Sequence, residues 1–250
     1  MPSYKCGKYI GESIESVQAQ TCPDWELIIV DDCSGDETEE IVADYIKKDS
    51  RIRLYKNDRH CGAALSRNLA LRQARGRWIA FLDSDDLWEP SKLEKQLHFM
   101  QENGYAFSYH DYKEIDEASR EIGVYVSGKQ CVRKFDMYSC CWPGCLSVMY
   151  DANVVGLIQV GDIKRNNDSA MWLKAIRKTD CHLLGECLGK YRRRANSITP
   201  RSLWDRIWAQ YPLFRVAEGM NPVCASFWVV MNVFGNAYKK IKYVKHYSSE

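Results

Sequence analysis

The run Trp78-Ile79-Ala80-Phe81-Leu82 ends abruptly at Asp83-Ser84-Asp85-Asp86. An unbroken apolar run of this length predicts a strand buried on both faces, as in a parallel sheet covered by helices, with the acids at its carboxyl end. Open α/β sheets hold ligands at that end. Leu27-Ile28-Ile29-Val30 runs in the same way into Asp31-Asp32, so two strands of one sheet would bring their acidic ends to one rim. Two carboxylates about 4 Å apart repel by roughly 4 kcal/mol at an effective dielectric near 20. Such a cluster needs a cation or several hydrogen-bond donors: a divalent metal carrying a phosphorylated ligand supplies the first, ribose or base groups the second.

The surrounding pattern supports an α/β fold. Ile10, Ile14 and Val17 mark a helical face, a strand is predicted at 26–30, and Asp36 reads as the N-cap of a helix whose inner face is Ile41, Val42, Tyr45 and Ile46. A strand at 52–55, a helix over 63–74, the Trp78 strand, a helix opened by Pro90-Ser91 and a strand at 105–109 complete a βα repeat. From about residue 122 the signals change to short strands at 122–126 and 146–150, a helix over 169–177, and a strand pair at 181–184 and 187–191. The pair leads into Arg192-Arg193-Arg194. This second half is expected to shape an acceptor pocket over the sheet.

With 250 residues, 46% hydrophobic and 27% charged, the chain can bury one sizeable core with a small appendage. Its net charge of +2, without a long basic block, gives no argument for nucleic acid. Eleven scattered cysteines with no paired CxxC elements read as reduced thiols of a cytosolic protein. Neither a signal-peptide core nor an apolar run of membrane-spanning length is visible. The stretch from Pro222 to Phe234 is apolar and is followed by Lys239, Lys240, Lys242 and Lys245. That pattern suits attachment to a membrane surface, or a docked helix with a solvated tail.

The residues resemble the family 2 glycosyltransferases with the GT-A fold. The resemblance rests on Pro2-Ser3-Tyr4, Tyr9-Ile10, Ser13-Ile14, Gln20-Thr21, Trp25 through Ser34, Gly62 with Ser66-Arg67-Asn68, and Gly76 through Asp86. Asn167-Asp168, Trp172-Leu173, Tyr191-Arg192 and Ser197-Ile198 follow. It implies a Rossmann-like, mostly parallel sheet flanked by helices, over residues 1–200. A nucleotide-sugar half would take 1–120 and an acceptor half 121–200, with a helical segment at 201–250. It also implies inverting transfer of a sugar from a UDP-sugar to a saccharide or lipid-linked saccharide hydroxyl, in capsule, lipopolysaccharide or other cell-surface glycan synthesis. In the family an apolar strand precedes the Pro-x-Tyr element; here Met1 stands where it ends. The first strand is therefore expected to be missing and the native product to extend upstream.

Carried over, Asp32 would bond the uracil, Asp83 would lie near the ribose or metal shell, and Asp85 would be the principal ligand of Mg²⁺ or Mn²⁺. Pro2 and Tyr4 would border the base, and Lys5 replaces the family's Asn. Asp86 is open between site and cap. Asp168 would be the catalytic base, though its place before a helix also suits an N-cap. The family often has Glu where Asn167 stands. Arg192, Arg193 and Arg194 suit the diphosphate or a solvated loop, Arg67 is a further candidate for the same pocket, and Trp142 suits an acceptor sugar or the core. His60, His98, His110 and His182 show no ligand spacing. The alternatives are a non-catalytic nucleotide-sugar binder and a nucleotidyltransferase, for which the Gly-rich phosphate loop is lacking.

Overall fold

Ile10, Ile14 and Val17 are buried and form the inner face of α1 (Gly7–Gln18), which follows a two-residue strand β1 (Pro2–Ser3). The computed structural model describes residues 1–161, 163–195 and 203–248; the Ser197-Ile198 match lies outside them. The first half continues with β2 (Leu27–Asp31), α2 (Thr38–Lys48), β3 (Ile52–Lys56), α3 (Gly62–Gln73), β4 (Trp78–Ala80), β5 (Leu87–Trp88) and α4 (Lys92–Asn103). Then come β6 (Phe107–Ile115), β7 (Glu121–Val126), β8 (Cys131–Val132), α5 (Lys134–Ser139), β9 (Met149–Asp151) and α6 (Ala152–Val155). The chain continues through α7 (Asn167–Ala175), β10 (Cys181–Arg192), α8 (Leu203–Pro212), α9 (Pro222–Tyr243) and β11 (Val244–His246).

β1, β2 and β3 pair in parallel. A second sheet is centred on the parallel pair β6 and β10, with antiparallel pairing of β5 and β8 to β10 and of β7 and β9 to β6. β11 extends it beyond β7, and β4 joins through β9. Three elements differ from expectation. The Trp78 run keeps ladder pairing only through Ala80, and its partner is the antiparallel β9. Phe81 and Leu82 leave the ladder yet stay buried, because they feed two different cores. Phe81 packs edge-on against Trp172 at 5.0 Å, whereas Leu82 joins Ile10, Ile14, Ile29 and Met100. The expected strand pair at 181–191 is one strand, β10, irregular between Leu184 and Gly189. The 146–150 strand begins only at Met149, after a 3₁₀ turn at Cys145–Ser147.

A cavity of about 580 Å³ is lined by residues of both β2 and β4, including Ile28 and Ile79, and by Met1, Val17, Leu71 and Leu82. The Met1 amine is buried there and donates to Ile28 O at 2.8 Å.

α9 docks on α5 through Ala225, Val229 and Asn232. Gly235 permits the approach: a Cβ there would lie 2.1 Å from the Ser139 carbonyl oxygen. Helix propensity favours alanine by up to about 1 kcal/mol, but a clash with backbone costs about 1–3 kcal/mol. Gly235→Ala is therefore expected to destabilise the chain by about 1–2 kcal/mol in urea unfolding.

Candidate active site

β2 ends in two buried acids with separate tasks. Asp31 accepts hydrogen bonds from the Ser34 amide, at 3.0 Å, and from its hydroxyl, and so closes the turn. Asp32 faces the start of α3: Cys61 N and Gly62 N donate to it at 2.7 Å each, and Asn57 Nδ2 at 2.6 Å. A carboxylate at a helix N-terminus meets free N–H groups and the positive end of the dipole. His60 Nδ1 lies 2.9 Å from the second Asp32 oxygen, its side chain 55% exposed. Tyr4 lies beside His60, ring centroids 4.2 Å apart. His60 is thus a site neighbour that ligand-spacing arguments passed over; its position just ahead of the α3 start was the available signal. Pro2 pairs with Val30 in β1 and lines the apolar cavity. Asp36 accepts from Thr38 N and Gly7 N, both at 3.2 Å, tying the starts of α2 and α1 together.

The acids after β4 divide their work similarly. Asp83 O accepts from Asp86 N at 3.2 Å, which tightens the turn. Asp86 is buried and its carboxylate accepts from Arg192 N at 2.8 Å. Burial, and then the charges of Asp85 and Asp83, hold the Asp86 carboxyl well above the usual range, so it anchors the turn to β10. Asp83 and Asp85 remain partly exposed. Burial and the neighbouring Asp83 also push the Asp85 carboxyl upward.

Three arginines surround this turn. The Arg192 guanidinium, expected at the diphosphate, is fully enclosed. It donates to Asp85 O at 2.7 Å, Asp116 O at 3.2 Å, Ser119 Oγ at 2.8 Å and Glu12 at 2.9 Å. Arg193 forks onto Glu114 at 2.5 and 2.7 Å. Arg194 reaches Asp85 Oδ2 at 3.0 Å and is the cation facing that carboxylate.

Arg67 joins the rim to α7. It is buried on α3, one Nη donates to Asp83 Oδ1 and the other to Asn167 Oδ1. Burial opposes its charge, yet Asp83, Cys145 and Asp168 reverse the balance and hold its pKa above the ordinary guanidinium value. Since Gly62 and Arg67 sit on one helix, α3 spaces the Asp32 and Asp83 contacts by about 7.5 Å along its axis. Arg67→Ala would leave Asp83 without its cation and Asn167 without its donor. The expected loss is about 3 kcal/mol, seen as a lower urea midpoint.

Asp168 lies in the first turn of α7, half-exposed, and its Oδ1 accepts from Ser169 N at 2.8 Å. Asn166 precedes the helix in the left-handed conformation, φ 56°, and makes no side-chain cap bond. Among the described residues no donor reaches the second Asp168 oxygen. Trp142 is buried and donates to Asp136 O at 3.1 Å, a core position. Asp83 and Asp85 offer hard oxygen ligands, two carboxylates whose mutual repulsion a divalent cation relieves. This donor set fits Mg²⁺ or Mn²⁺, which keep coordination places for phosphate and water. No cluster of three or more acidic, His or Cys ligands occurs among the described residues.

The family description "Glycosyl transferase family 2" matches residues 1–137. TuaG of Bacillus subtilis, named for teichuronic acid biosynthesis, is 38% identical over 96% of this chain and 94% of its own length. WfgD of Escherichia coli, a UDP-Glc:α-D-GlcNAc-diphosphoundecaprenol β-1,3-glucosyltransferase, is 35% identical over 88% of this chain and 89% of its own. Among solved structures, S. aureus TarS in complex with UDP-GlcNAc superposes with a TM-score of 0.72 at 20% identity, covering 96% of this chain and 72% of that one. That likeness shows the GT-A fold. The chain belongs to the family 2 glycosyltransferases.

Proposed function

We propose that this chain moves a sugar from a UDP-sugar to a hydroxyl of a saccharide or lipid-linked saccharide acceptor, inverting the anomeric centre, in cell-surface polysaccharide synthesis. The observation that carries the reading is the Arg67 bridge, which ties Asp83 on the acidic rim to the helix bearing Asp168. The names of the relatives support the donor and acceptor classes: UDP-glucose and a diphosphoundecaprenol-linked sugar for WfgD.

In this reading the pyrimidine base sits by Tyr4 and donates its N–H to Asp32, displacing the exposed His60. Asp85 and Asp83 would hold Mg²⁺ or Mn²⁺, which when bound would supply positive charge against the departing diphosphate. Arg194 turns from Asp85 to the phosphate oxygens, while Arg192 keeps the 83–86 turn in place. Asp168 accepts the proton of the acceptor hydroxyl as its oxygen attacks the anomeric carbon from the face opposite UDP. Residues 121–200 shape the acceptor side, and a lipid-linked acceptor places the chain at the inner membrane face.

The test is UDP release from a panel of UDP-sugars, with acceptor saccharide, in Mn²⁺ and in EDTA, followed by NMR of the product linkage. One donor is expected to turn over with inversion, slowed about tenfold or more by EDTA. Donor binding without release overturns the enzyme reading in favour of a non-catalytic binder.

A further inference from the structure

α9 carries Val223, Phe227, Val230, Phe234, Tyr238 and Ile241 on its surface, Phe234 being 67% and Ile241 85% exposed. Their spacing of three and four residues places them on one helical face, a stripe about 27 Å long. Phe135 of α5, also exposed, widens it: Phe135 and Phe227 each pack against Trp228, at 5.4 and 5.3 Å. Large contiguous apolar patches on a soluble surface mark a partner. The face is presented rigidly, because the opposite side of α9 is docked on α5 with Gly235 against Ser139.

Charge says which partner. From residue 221 to 248 the chain has four lysines and no acid. Lys240, Lys242 and Lys245 are exposed at the far end of the stripe. A second copy packed on this face would bring the same lysines and no acid to meet them. Anionic lipid headgroups meet them, while the alkyl stems of lysine lie along the apolar boundary. No helix among the described residues is long and apolar enough to cross a membrane, so the stripe lies in the surface plane.

We propose that the exposed face of α9 lies on an anionic bilayer and so keeps the site at the membrane surface. The second half of the inference rests on the lipid-linked acceptor proposed above. The docked side of α9 joins the site through Cys141, whose carbonyl accepts from Lys239 at 3.0 Å and whose thiol is hydrogen-bonded with Ser169, next to Asp168. An acceptor held in the bilayer by its lipid would then offer its sugar to Asp168 without leaving the surface.

Flotation of the full chain with vesicles of phosphatidylcholine, alone or with phosphatidylglycerol, tests the surface directly. Binding is expected to the anionic vesicles and to weaken with salt. The pair Phe227→Glu with Phe234→Glu should lower it by about tenfold or more, and Lys240→Glu with Lys242→Glu similarly. Both pairs should leave turnover on a water-soluble acceptor unchanged. Asp168→Asn should still float, which separates this inference from the catalytic reading: lost turnover with retained flotation bears on Asp168 alone. Failure to float with anionic vesicles overturns the proposal. So does a dimer in solution that Phe227→Glu with Phe234→Glu dissolves, which would give the face to a second copy.

Discussion

Asp168→Asn is expected to lower turnover by about 10³-fold while the donor dissociation constant changes less than about threefold. Asparagine keeps the shape of the side chain and an oxygen for the Ser169 amide, so α7 should start as before. What it loses is the capacity to take the proton of the attacking hydroxyl. Arg67 grips Asn167 rather than Asp168, and the bridge to the acidic rim therefore survives the change. Single-turnover kinetics with calorimetric donor binding separates the two quantities. Equal turnover would remove Asp168 from its role, and a parallel loss of donor affinity would make it a structural residue.

Asp85→Asn should give a protein that is more stable and far less active. Burial and Asp83 push the Asp85 carboxyl above its ordinary pKa, and Arg194 only partly offsets them. An acid whose pKa is raised by folding binds more protons folded than unfolded between its two pKa values. It therefore subtracts stability as pH rises from the ordinary carboxylate pKa through the raised one. A neutral amide removes the deficit, so without metal the variant should unfold at a higher temperature, and the gain should vanish below pH 3.8, the ordinary pKa. Turnover should fall by about 10³-fold and lose its response to Mn²⁺, because a carboxylate ligand is gone. A variant that is both less stable and fully active would refute the ligand assignment. Stability gained where activity is lost is the usual mark of a site held ready for a ligand.

The sequence made the helices and the acidic rim legible because they rest on local signals. Spacing at Ile10, Ile14 and Val17 marked α1, and an apolar run meeting an acid marked the end of β2, whereas β4 stops at Ala80, short of Asp83. Pairing partners were not legible. Nothing local to Trp78 says that β4 lies antiparallel to β9, some 70 residues on. Nor does an arginine triplet reveal that Arg192 is enclosed and holds the 83–86 turn, Arg193 meets Glu114 and Arg194 faces Asp85. Arg192 is the last residue of β10 and Arg193 and Arg194 follow it, so the three side chains part where the strand ends. His60 escaped notice for a related reason: its partner Asp32 is 28 residues away.

The hollow of about 580 Å³ between β2 and β4 makes hydrostatic pressure a probe of how the two halves hold together. Compression favours whichever state has the smaller volume, and unfolding eliminates internal void. Both cores line it: Val17, Leu27 and Leu82 from one, and Leu71, Ile79 and Phe81, which pack with Phe107 and Trp172, from the other. Rising pressure should therefore loosen the side that holds Asp32 and the side that holds Asp168 together.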